Sequence, residues 1–171
     1  MPSETNNPLS SGDCRLTCAT LHGFSPLAAD TLARKLMAGA DSTSLPGDFV
    51  LVLRGTQNGK AFECLATSAV SALPYYWCSE DKTFVHGKTV FDVVEKAGLP
   101  WEWNVRALNC LALMEHCIGE DTLHAAVRRI RPASLYFWQD GGLSVFSSAY
   151  PQEIFDRPRT TIDAALETYN A

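Results

Sequence analysis

The sequence predicts an α+β domain of stacked antiparallel sheets with helices outside. Three observations lead there. Phe49–Leu53 is apolar at every position, which marks a strand covered on both faces. Gln57-Asn58-Gly59-Lys60 sets Asn-Gly between two strand-like runs, and that dipeptide supplies the positive φ angles of a tight hairpin. Strand-like segments outnumber helical ones and pair as hairpins rather than alternating with helices. The pattern suits several α+β layouts; stacked sheets account for the doubly covered strands as well as the hairpins.

The elements follow in order. Arg15–Leu21 reads as a short strand with Leu16, Cys18 and Leu21 apolar. A helix is expected from Ser25, with Ser25 as N-cap, Pro26 in the first position, Leu32 and Leu36 on one face, and Gly39 as the stop. Asp41–Pro46 is a loop. After the Asn-Gly turn, Ala61–Ala66 is the returning strand. Tyr75–Cys78 and Thr83–His86 form a second strand pair around Ser79–Lys82. Thr89–Ala97 is a short helix, stopped by Gly98 and Pro100. Asn104–Cys117 is the longest helix candidate, with Val105, Leu108, Leu111 and Ala112 as its apolar stripe. Leu135–Trp138 and Leu143–Phe146 pair around Asp140-Gly141-Gly142.

Composition bounds the function. The chain has 171 residues, 46% of them hydrophobic and 19% charged, enough for one domain with a real core. A net charge of -5 disfavours a nucleic-acid surface, because a phosphate backbone selects clustered Lys and Arg. The one basic knot, Arg128-Arg129 with Arg131, reads as a solvated face or as structural ion pairs. No apolar run approaches the roughly 18–20 residues of a membrane span. Residues 1–13 are polar and are expected to form a disordered leader, residues 14–150 the domain, and residues 151–171 a linker and an amphipathic helix. That helix, Thr161–Tyr169, carries Ile162, Ala165, Leu166 and Tyr169 on one face. The expected location is cytoplasmic. Six cysteines, at 14, 18, 64, 78, 110 and 117, include no CxxC pair and read as reduced thiols used as small hydrophobes.

One ordered string of landmarks goes further. Gly47-Asp48-Phe49 opens the run Val50–Leu53. Pro74-Tyr75-Tyr76-Trp77 follows, then Phe84-Val85, Gly119-Glu120-Asp121-Thr122-Leu123 and Val127-Arg128-Arg129-Ile130-Arg131-Pro132. In this order and spacing the string resembles the second half of the class II glutamine amidotransferase domain that heads asparagine synthetases and β-lactam synthetases. The resemblance covers about 100 residues and implies a four-layer αββα sandwich of the N-terminal-nucleophile hydrolase type. The chain departs from the family at several points. Thr67-Ser68-Ala69 stands where the family carries Arg-Asp-Arg, Ser71 and Ala133 stand where it carries glycine, and the acidic residue after Phe84-Val85 is gone.

Glutaminase chemistry in that family uses an N-terminal cysteine, whose thiolate attacks the amide with its own α-amino group as base. Here the chain begins Met1-Pro2-Ser3, and Cys14, the one candidate that processing could expose, precedes Arg15-Leu16 rather than Gly-Ile. His116 and Cys117 are neighbours on the expected helix and face different directions, while Cys110 and Cys117 share a face that packs into the core. His22, His86 and His124 are isolated in sequence, with no metal-ligand spacing. Trp101 and Trp103 are expected to bury against the sheet, with an exposed contact patch as the alternative.

The resemblance therefore implies a glutaminase-dead scaffold for an asparagine-synthetase-like, ATP-dependent amide-forming domain or partner. ATP and Mg would belong to that partner, and no cofactor to this chain. Two alternatives stand beside it. One is an active glutamine amidohydrolase after processing to Cys14; the other is a free-standing regulatory or oligomerisation module. The expected partners are a synthetase domain or further copies of the chain, and neither nucleic acid nor membrane.

Overall fold

The computed structural model describes residues 7–10, 13–70 and 72–147. The expected helix Thr161–Tyr169 lies outside the described residues. Two antiparallel sheets carry an α+β architecture. The larger has five strands in the order β1-β2-β3-β7-β8: β1 Cys14–Phe24, β2 Asp48–Gln57, β3 Lys60–Thr67, β7 Ser134–Gln139 and β8 Gly142–Ser147. The smaller has three, β5-β4-β6: β4 Tyr76–Glu80, β5 Thr83–Gly87 and the two-residue β6 Arg128–Arg129. The helices are α1 Ala29–Met37, α2 Val90–Ala97 and α3 Val105–Met114.

Three hairpins share one turn chemistry. Asn58-Gly59, Asp81-Lys82 and Asp140-Gly141 all hold positive φ at both central positions, the mirror-image turn whose twist suits two-residue hairpins. Asp and Asn tolerate that region because their short polar side chains hydrogen-bond locally.

Strand alternation then sorts the core. On β2, Phe49, Leu51 and Leu53 face α1, where they meet Leu32, Ala33 and Leu36. The alternate residues Val50 and Val52 join Leu65 and Tyr136 and face the small sheet, against Tyr75, Phe84 and Ile130. The outer side of the small sheet packs Cys78 on Val93 and Val94 of α2. The run Phe49–Leu53 is covered on both faces, as its composition predicts. Each large apolar side chain buried this way stabilises by roughly 1.5–3 kcal/mol.

β1 is longer than the sequence pattern marks, and it is bulged. Leu16 pairs with Gly55 and Cys18 with Arg54, so Thr17 is the extra residue; its hydroxyl donates to the Arg54 carbonyl at 2.9 Å. The bulge switches the strand's parity. Cys14 and Leu16 pack towards α1 before it, and Ala19 and Leu21 after it.

Other boundaries differ from expectation for local reasons. Helix α1 starts at Ala29 and not after Ser25, because the Ser25 hydroxyl donates to the Pro46 carbonyl and accepts the Leu27 N–H, closing a turn instead of capping a helix. Helix α3 stops at Met114, with Glu115 in a left-handed C-cap, so Cys117 lies beyond it. Of the expected stripe none is buried: Ala107 is the only buried residue of α3, and Val105 is 67% exposed. Cys110 and Cys117 are half-buried rather than core residues. Within the stretch expected as a leader, Leu9 is buried and the Asn7 side-chain amide donates to the Leu36 carbonyl.

Candidate functional site

The small sheet ends at β5, and β1 lies beyond its cover. A cleft of about 230 Å³ opens along that margin. Its floor comes from the large sheet. Past the bulge, Thr20 and His22 turn to the inner face of β1, beside Val52 and Arg54 of β2. Its wall comes from Tyr75, from His86 and Gly87 of β5, from Lys88, and from Asp92 and Lys96 of α2.

A hydrogen-bonded relay crosses the inner end of this cleft. Glu63 shares the inter-sheet face of β3 with the buried Leu65. Its Oε1 accepts from Arg54 Nε at 2.6 Å and lies 3.0 Å from His86 Nε2. The other ring nitrogen, His86 Nδ1, is 2.9 Å from the Tyr75 hydroxyl. Burial alone would raise the Glu63 carboxyl, but the hydrogen bonds and charges of His86 and Arg54 outweigh it and hold the group below the ordinary glutamate range. Burial, with the Glu63 charge adding, pushes the Tyr75 hydroxyl up to about 12, so it stays a phenol at neutral pH and is no base. His22 stacks at a tilt on Tyr75, 5.3 Å between ring centres. Burial first, then the charges of Lys88, His86 and Lys96, lower its pKa.

The histidines read as isolated in sequence are therefore not isolated in space. His22 and His86 flank one tyrosine. The missing signal was long-range: Glu63 and Tyr75 lie 23 and 11 residues from His86 and meet it only through sheet stacking. His124 is a satisfied core histidine. Its Nδ1 accepts the Ala126 N–H at 3.2 Å, which leaves Nε2 to donate to the Pro100 carbonyl at 3.1 Å.

Cys14 opens β1 opposite Gln57, away from this cleft and on the α1 side. Burial and then the Asp13 charge raise its pKa, the reverse of what activates a thiolate. His116 Nδ1 bonds the Met114 carbonyl at 2.7 Å. Among the described residues no group of three His, Cys, Asp or Glu side chains is placed to hold a metal ion, and no helix is long and apolar enough to cross a membrane.

A second arrangement ties the sequence landmarks together. Thr67 and Ser68 are both fully buried. Thr67 Oγ1 accepts the Ser134 N–H at 2.8 Å, and its one proton is shared between the Arg131 carbonyl at 2.8 Å and the Ser134 carbonyl at 3.1 Å. Ser68 Oγ accepts the Phe49 N–H at 3.1 Å, donates to Asp48 at 3.3 Å, and its carbonyl accepts the Ala133 N–H at 2.8 Å. Asp48, Thr67-Ser68 and Arg131–Ser134 thus close one hydrogen-bonded node. Gly47 is required beside it: φ is +109°, and a Cβ would stand 2.4 Å from the Phe24 carbonyl. Ala133 keeps a left-handed φ of 51°.

The outer surface carries the remaining feature. Trp101 is 37% exposed and Trp103 55%, contrary to the expected burial, and Phe91 beside them is 70% exposed. Phe91, on α2, stacks on Trp101 at 5.0 Å, and Trp103 is edge-on to Trp101 at 5.3 Å. The exposed Leu111, Leu113 and Met114 of α3 add to the apolar surface. Arg128 and Arg131 are tied down, Arg128 Nη1 donating to the Ala125 carbonyl at 2.8 Å and Arg131 pairing with Glu120. Comparisons of the chain with protein-family models, curated proteins and solved structures give no match.

Proposed function

We propose that the chain is an amidotransferase-like domain without glutaminase chemistry, which acts as a structural module for an asparagine-synthetase-like, ATP-dependent amide-forming partner. The observation that carries this reading is the Asp48–Thr67–Ser68–Ala133 node. Two ends of the ordered string, Asp48-Phe49 and Arg131, are joined there by Thr67-Ser68, which with Ala133 and Ser134 makes six hydrogen bonds and close contacts. Where the family has Arg-Asp-Arg, a neutral Thr-Ser pair does the joining. Where it has glycine, Ala133 holds a backbone angle that glycine adopts more readily. The succession of α1, large sheet, small sheet and α2 is consistent with the four-layer αββα sandwich of that class.

Cys14 stands on the α1 side of the large sheet rather than between the sheets, which favours the scaffold over the amidohydrolase. Purified protein should release neither ammonia nor glutamate from glutamine. Release that disappears in Cys14→Ala would overturn the proposal. The partner is tested by affinity capture from the native host. The captured protein should carry a Ser-Gly-Gly-x-Asp-Ser pyrophosphate loop, and a Leu111→Asp, Leu113→Asp double variant should lose it. The same apolar surface on α3 favours a second reading, self-association. Capture of this chain's own copies alone, with a concentration-dependent mass in solution, would establish that instead.

A further inference from the structure

We infer that the cleft between β1 and β5 binds a small oxyanion, a carboxylate or phosphate group, through Lys88, Arg54 and His22. This does not depend on kinship with amidotransferases. The cleft is about 230 Å³, below the usual range of a drug-sized pocket and ample for a group of a few heavy atoms.

Charge comes second. Three permanent cations, Arg54, Lys88 and Lys96, face two carboxylates, Glu63 and Asp92. The carboxylates are already engaged. One oxygen of Glu63 serves both Arg54 and His86, and Asp92 pairs with Lys96 at 3.4 Å. Lys88 has no acidic partner among the described residues. The positive excess is local, on a chain whose net charge is -5. The surplus is one unpaired cation, Lys88, and a local positive surplus concentrates anions beside it.

The third observation is His22. The imidazole is half-buried against Tyr75, yet neither ring nitrogen has a hydrogen-bond partner among the described residues. Histidine presents at least one N–H in either neutral tautomer, so the ring has a donor free for a ligand in the cleft. The cations that depress its pKa are the same ones that line the cleft. An anion seated between Lys88 and His22 would accept from both, with the Thr20 hydroxyl beside them on the floor. A cationic ligand would be repelled by Lys88.

The test is a titration followed by the NMR signals of the His22 ring, at pH 7 and constant ionic strength held by sodium chloride. Sodium phosphate and sodium acetate are added in separate arms. A saturable shift at His22 is expected, with the midpoint of its own pH titration moving upward when anion is bound. Lys88→Ala should weaken binding about tenfold, the scale of one charge-assisted hydrogen bond. Lys35→Ala, an exposed lysine on α1, should leave it unchanged. Tighter binding of phosphate assigns a phosphoryl ligand, and tighter binding of acetate assigns a carboxylate. A shift that never saturates, or one that Lys88→Ala leaves intact, overturns the inference.

Discussion

Replacing Thr67 with valine isolates the landmark node. The two side chains have nearly the same shape, so the change opens no cavity. It removes the acceptor of the Ser134 N–H, 2.8 Å away, and the donor that serves the Arg131 and Ser134 carbonyls. Thr67 and Ser134 are 0% and 1% exposed, so water cannot substitute. A buried polar group left unpaired costs about 1–3 kcal/mol. The N–H loses its acceptor outright, while each carbonyl shares a single proton and loses less. Together the expected loss is about 2–4 kcal/mol, a large part of the roughly 5–15 kcal/mol typical of a domain. Urea unfolding followed by tryptophan fluorescence reads it as a lower midpoint at unchanged slope. Thr56→Val, on half-exposed β2 surface, is the control and should move stability by no more than about 0.5 kcal/mol. A Thr67→Val loss no larger than the control would show that the node joins nothing.

Three further outcomes are expected. Leu51→Ala empties a fully buried site between β2 and α1 and should cost about 2–5 kcal/mol in the same assay. The Glu63 carboxyl is held below its ordinary range when folded, so the unfolded chain binds the proton more readily; the stability it contributes is present above about pH 4.3 and lost as pH falls through the folded value. Glu63→Gln should therefore flatten the pH dependence of the urea midpoint in that acid window, and an unchanged slope would refute the assignment. With a thiol reagent, exposed Cys18 should label first, while Cys64, whose thiol burial pushes up, should label only on unfolding.

Much of the fold was legible because its signals are local. Asn58-Gly59 names its own turn, and Phe49–Leu53 declares two covered faces without reference to what covers them. What failed was whatever depends on the partner of a face. The spacing of Val105, Leu108 and Leu111 identifies a helix correctly, but periodicity cannot say that Val105 and Leu111 stay exposed among the described residues. Ser25 has the right chemistry for a cap; a competing carbonyl at Pro46, 21 residues on, takes its hydroxyl. β6 is two residues long and leaves no pattern to read. The cleft was invisible for a related reason, since its groups come from β1, β2, β3, β5 and α2, and only stacking brings them within reach. Thr67 and Ser68, which in sequence carry no pattern of their own, are in the structure the centre of a hydrogen-bonded node.

The bulge at Thr17 makes β1 sensitive to insertion and deletion in a way it is not to substitution. One residue of added length exchanges the two sides of the strand. Leu16 and Leu21, five apart, can then point the same way, and Thr20 and His22 open onto the cleft. Deleting Thr17 would remove no large side chain and only one hydroxyl hydrogen bond, yet it would force either the segment before it or the segment after it to present its other side to α1. A protein that kept every other residue but lost that one would have to choose between filling the space under Leu32 and Leu36 and keeping His22 beside Tyr75.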